Sequence, residues 1–366
     1  MSRRINEEEQ EIAFLKNNPF NKKIILPTLI NISFSKIISS YGVIALHVND
    51  FWSFQSKDYK HFKKINFLET LFYYSVPVFA LCIGATLLNF NERYSLYDYN
   101  KKRFLKVFVP LLGWNVIFYF YKSFFLRSIN LGKLNFSNIW NYFFLSKIVN
   151  IYDSLHLFLL TYMLVPLLAY IDKEKKMKIY IYYFFLLLIT QSIIPYLINI
   201  FRIKIVWIYT LKLGYLIYIF AGYILHNYNF LLFQKFVIYL LGAISFFIHL
   251  FGTEISFYRN RANIRLQKGY LNLPSILYSC AIFLLIKENS FLLIKYMNKN
   301  FINKIGSLTL GPFFLHRPFL ETIRLFPKLY NNLIFSSLLF SLIIFCVCLL
   351  LTYILKKIPI LKYLVP

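Results

Sequence analysis

Charged residues are scarce in this chain, and acids are scarcer than bases. Asp, Glu, Lys and Arg make up 15% of the 366 residues, against about 25% in soluble domains. Cysteine is rare too. Cys82, Cys280, Cys346 and Cys348 stand in apolar segments and none is paired at metal-ligand spacing, which argues against a metal site or a disulfide framework and reads all four as small hydrophobes. No motif for binding RNA or DNA accompanies the 41 Lys and Arg that outnumber 15 Asp and Glu. The basic residues are spread over many segments, so the net charge of +26 fits membrane loops facing anionic lipid better than a nucleic-acid surface. The first 25 residues are polar and charged, so no cleavable signal peptide is expected. No internal repeat or low-complexity block stands out beyond Glu7-Glu8-Glu9.

Apolar length is what the chain has in abundance. Hydrophobic residues reach 58%, aromatics 20%, and the mean hydropathy is +0.56. Runs of about 20 apolar residues cross a bilayer. Ten such runs lie near 31–52, 67–90, 105–126, 151–171, 179–200, 206–226, 231–251, 273–290, 305–323 and 333–356. The eighth is the weakest, because it starts after Pro274 and stops at Lys287 and Glu288. The expected fold is an all-α polytopic membrane protein of about ten transmembrane helices. Residues 31–356 would form the transmembrane domain, with a cytoplasmic segment 1–30 before it and a short tail 357–366 after it. An even number of spans places both termini on one side with the basic loops 91–104, 172–178 and 288–304, which points to the cytoplasmic face of the cell (inner) membrane.

The first span carries the sharpest chemistry. It runs from Asn31 to Asp50 and contains Lys36 and His47, eleven positions apart. In an α-helix that spacing is about 20° beyond three full turns and roughly 16 Å along the axis. Both side chains therefore share one face, with Ser33, Ser40 and Asp50 near the same stripe. Ionisable groups at membrane depth are costly and mark functional candidates. His47 suits a general base, and Asp50 could hold its tautomer or stabilise the imidazolium. The competing readings are a histidine that hydrogen-bonds a neighbouring helix for packing and a Lys36 that reaches out to the headgroups.

Several segments follow in an order that resembles one family. Lys36 and His47 stand where an arginine, ten residues and a histidine are expected. Ser75-Val-Pro-Val-Phe leading to Gly84-Ala-Thr-Leu, the basic pair Arg103 and Lys106 before Pro110, His156-Leu-Phe158, Gly252-Thr with Gly269-Tyr-Leu and Pro274, and Gly311-Pro-Phe-Phe-Leu-His316-Arg-Pro complete the set. Together they resemble the acyltransferase-3 family of membrane O-acyltransferases over residues 31–350, and within it the branch that modifies enterobacterial common antigen and intercellular-adhesin polysaccharide. Lysine at 36 and 106 keeps the charge of the usual arginines but not their planar fork. Ser33 replaces a frequent aspartate, and Phe158 a common tryptophan.

The resemblance implies acyl-CoA as donor, a surface glycan or its lipid-linked precursor as acceptor, and acetyl as the group moved. No metal and no tightly bound cofactor is implied. On this reading Lys102, Arg103 and Lys106 hold the anionic donor at the cytoplasmic mouth with Lys36, the pantetheine arm spans the gap, and His47 with Asp50 serves the acceptor hydroxyl. His156, His316, Glu69 and Glu321 are possible acceptor or donor contacts, with interfacial packing as the alternative for the histidines and a place at wet helix ends for the glutamates. The rival function is a polysaccharide or small-molecule transporter, which intramembrane His, Lys and Glu would also suit.

Overall fold

The computed structural model describes residues 19–53, 59–124, 153–201, 214–260, 267–323 and 333–365. Side chains are described for 30–49, 59–124, 158–201, 214–258, 267–321 and 334–365. The described residues form helices, with no strand among them. The protein is an all-α polytopic membrane protein, and each of the ten apolar runs contains helix.

Helix α1 spans Pro19–Ser53 without interruption and begins ahead of the apolar run that starts near 31. Helices α2 (Tyr59–Phe72) and α3 (Ser75–Leu87) form one membrane-length unit with a turn between them. The turn has a local cause. Pro77 has no N–H to give the Tyr73 carbonyl four residues back, and next to it Ser75 Oγ donates to Phe72 O at 2.7 Å. Helix α4 (Leu96–Arg103) starts at Ser95, whose Oγ accepts the Asp98 N–H at 3.1 Å. It continues through a π-helical turn, Phe104–Phe108, into α5 (Val109–Phe124). Here Pro110 cannot donate to Lys106, and the widened turn absorbs the missing bond.

Helices α6 (Asp153–Ala169), α7 (Lys173–Leu187), α8 (Ile194–Phe201), α9 (Leu216–Asn227) and α10 (Leu232–Asn260) follow. The weak eighth run is a broken one. Helix α11 (Leu273–Glu288) meets α12 (Ser290–Tyr296) at a bend of 48°. Lys287 explains the break, because its Nζ donates to the Leu225 and Tyr228 carbonyls at 2.8 and 3.2 Å and ties the end of α11 to the end of α9. Helices α13 (Lys299–Gly306), α14 (Leu310–Ile323) and α15 (Leu333–Lys357) complete the chain.

Among the described residues, five helical units are long and apolar enough to cross a bilayer, and the bent α11–α12 pair makes a sixth. Helix α1 carries Lys36 and His47 within its apolar run. It is the hub, packed against α2, α3, α11, α12, α13, α14 and α15. The closest approach in the bundle is α3 to α9. A Cβ at Gly84 would overlap the Ile219 carbonyl, and one at Gly222 would overlap the Leu81 carbonyl. Reciprocal glycines let two backbones touch, a device of membrane helices that lack a hydrophobic drive to associate. Outward faces such as Leu232, Phe233 and Phe236 on α10 are apolar and exposed, as lipid contact requires. Cys82, Cys280 and Cys348 are buried free thiols, whereas Cys346 is exposed on α15 and is not the buried hydrophobe expected.

Candidate active site

The unbroken α1 keeps Lys36 and His47 on one face, three turns and roughly 16 Å apart. Part of the polar stripe between and around them is structural. Ser33 Oγ donates to Asn303 Oδ1 on α13 at 2.9 Å, and Ser40 Oγ donates to Thr309 O at 2.9 Å. Asn49 Nδ2 donates to Ile65 O on α2 at 2.9 Å. These bonds fix the rotation of α1, and so the direction in which Lys36 and His47 point.

At one end of this stretch, the His47 ring stacks on His316 of α14 with centroids 5.3 Å apart and planes 23° from parallel. His316 is completely buried, in the middle of α14. Its Nδ1 lies 2.9 Å from the Pro312 carbonyl. A carbonyl only accepts, so Nδ1 carries the proton and the neutral ring keeps a lone pair on Nε2. On the same helix Arg317 Nε donates to Glu321 Oε1 at 3.0 Å. Arg317 is within electrostatic range of both imidazoles.

The other end, at Lys36, gathers cations from three elements. Lys106, on the π-helical turn, is exposed and within electrostatic range of Arg103, Lys356, Lys36 and Lys102. The four residues expected to hold the donor therefore converge, and Lys356 of α15 joins them. None of the four expected residues pairs with a carboxylate among the described residues. Arg103 is held by aromatics. Its guanidinium carbon lies 5.6 Å from the Tyr99 ring centroid and 5.4 Å from that of Tyr162. Tyr99 is itself fixed, because its hydroxyl donates to Tyr162 O at 2.9 Å. Lys102 Nζ sits 4.3 Å above the Tyr94 ring. Tyr99, Tyr162 and Lys356 had no signal in the sequence, because their roles come from packing between helices far apart in the chain.

Glu69 belongs elsewhere. It accepts from Lys268 Nζ at 3.0 Å, with 7% and 0% of the two side chains exposed. Lys268 also donates to Asn66 Oδ1. Beside this pair lies His249, which is completely buried. Ser275 Oγ donates to Gly269 O at 2.7 Å and so accepts from His249 Nε2 at 3.3 Å. Asp50 and His156 lie in α1 and α6, but their side chains are outside the described residues. No group of three His, Cys, Asp or Glu among the described residues could hold a metal.

The described residues thus combine an all-helical membrane fold with an imidazole pair and a cationic cluster joined by one helix. The chain belongs to the acyltransferase-3 family, since the family model described as "Acyltransferase domain" matches residues 29–357. This membership sets the transporter reading aside. No curated protein and no solved structure matches the chain.

Proposed function

We propose that the protein moves an acyl group, acetyl in the simplest case, from acyl-CoA to a hydroxyl of a cell-surface polysaccharide or its lipid-linked precursor. The observation that carries this reading is the single helix α1, which puts Lys36 in the cationic cluster and His47 in the imidazole pair. Coenzyme A is a long thin molecule with phosphates at one end and a thioester at the other. Arg103, Lys102, Lys106 and Lys36 are the phosphate-binding groups. The pantetheine arm covers the roughly 16 Å to His47.

His47 takes the proton of the acceptor hydroxyl as its oxygen attacks the thioester carbonyl. The C–S bond breaks, and the imidazolium returns that proton to the departing thiolate. Acyl-CoA and alcohol become ester and CoA, with atoms and charge balanced. Asp50, three residues beyond His47, holds the imidazole tautomer. The basic loops favour both termini on the cytoplasmic side of the cell (inner) membrane, where acyl-CoA is made.

The test is transfer of radiolabelled acetyl from acetyl-CoA by the full-length protein in lipid nanodiscs, with sugar acceptors and water as the alternative acceptor. Wild type should acylate a sugar hydroxyl. His47→Ala should lose about 10²–10⁴-fold in kcat at unchanged expression and unchanged acetyl-CoA affinity. Lys36→Ala should raise KM for acetyl-CoA with a smaller effect on kcat. A fully active His47→Ala enzyme would remove the proposed base.

A further inference from the structure

Two buried lone pairs on α14, one of them on the ring stacked against His47, have no hydrogen-bond partner among the described residues. His316 commits Nδ1–H to the Pro312 carbonyl, and its buried Nε2 has no hydrogen-bond partner. On the same helix Glu321 gives Oε1 to Arg317 and leaves Oε2 buried and without a hydrogen-bond partner. An unmade bond of this kind costs about 1–3 kcal/mol, and native structures keep few of them. Both atoms are acceptors. Whatever completes them must bring hydrogens, and a molecule rich in hydroxyls does so.

The position of Nε2 sharpens this. Its ring lies face to face with His47, 5.3 Å between centroids. Rotating the His316 ring away would break its bond to Pro312, so Nε2 is held beside the proposed base. We infer that His316 sets acceptor specificity: its Nε2 accepts a hydrogen bond from a second hydroxyl, adjacent to the one His47 deprotonates, so the acceptor is a ring diol rather than a monohydric alcohol. This inference rests on the transfer reading above. Two bonds of about 2.8 Å each reach from neighbouring hydroxyls of one sugar ring to two imidazoles at that separation. The roles stay distinct. The reacting hydroxyl gives its proton to His47 and its oxygen to the acyl carbon, while the second hydroxyl keeps its proton and only donates it in a hydrogen bond.

The experiment compares two small acceptors with the full-length protein in nanodiscs and labelled acetyl-CoA: dihydroxytetrahydropyran with neighbouring hydroxyls, and hydroxytetrahydropyran with one. Wild type should favour the diol by tenfold or more in kcat/KM. His316→Phe keeps an aromatic ring on His47 but has no lone pair. It should bring the preference to within twofold. His316→Gln, whose amide oxygen can reach the place of Nε2, should restore part of the preference. Equal wild-type rates for the two acceptors overturn the inference whether or not the variants fold, and so does a folded His316→Phe that keeps the preference. A wild type that transfers acetyl to no acceptor, water included, overturns the transfer reading and this inference with it.

Discussion

Arg103 shows how much of this site depends on side-chain shape as well as charge. Lysine stands at 36 and at 106, yet arginine stands at 103, where two tyrosine rings flank it. A guanidinium stacks on aromatic faces and still offers donors along its edge, which an ammonium does not. Arg103→Lys should therefore raise KM for acetyl-CoA about tenfold, the equivalent of about 1.4 kcal/mol, with kcat near wild type. Titration of acetyl-CoA against initial rate checks this, and an unchanged KM would show that charge alone suffices. Lys36 and His47 were legible in the sequence because one helix relates them and helical periodicity is a local rule. The stacking of His316 on His47 was not, because it depends on how α14 lies against α1.

At the scale of elements, the irregular turns carry the site. The π-helical turn Phe104–Phe108 aims Lys106 into the cluster, and its cause, Pro110, is visible in the sequence. Which way the widened turn faces is not, because that follows from the contacts of α4 and α5 with their neighbours. The α3–α9 contact works in the opposite sense, by leaving no room. Gly222→Val would drive a branched side chain into the Leu81 carbonyl, and α3 would have to move. Because Cys82, within electrostatic range of Lys36, is on the same helix, the shift would reach the donor end of the site. The expected result is a loss of about 1–3 kcal/mol of stability, measured as a lower midpoint of thermal unfolding in detergent. The conservative Gly222→Ala should lose less. Helix positions were legible from apolar runs, whereas the bend at Asn289 needed the ties made by Lys287.

For the whole molecule, the Asn66–Lys268–Glu69 cluster fastens the segment before α11 to α2. Glu69 was picked out from the sequence as an acid at membrane depth. Its partner was not identifiable, since Lys268 lies in a loop where a solvated lysine is the ordinary case. Removing one member of a buried pair costs about 3–5 kcal/mol, while replacing both with apolar residues can be nearly neutral. Glu69→Leu should therefore collapse the yield of monodisperse protein, and Glu69→Leu with Lys268→Met should recover most of it. Gel filtration of the two variants side by side reads the difference, and a double variant no better than the single one would show that the pair does more than balance charge.

That pairing also has a consequence in time. Glu69 and Lys268 are separated by 199 positions, and a ribosome adds about 5–20 residues per second. For roughly 10–40 s, then, the nascent chain holds a carboxylate among its first membrane segments before its counter-charge has been made. An acid in the middle of an inserted helix costs about 2.5–3.5 kcal/mol, so α2 has reason to linger at the insertion machinery or its wet margin until the last third of the protein arrives. Biogenesis of this enzyme would then finish by closing that clasp, well after its first helix has entered the lipid.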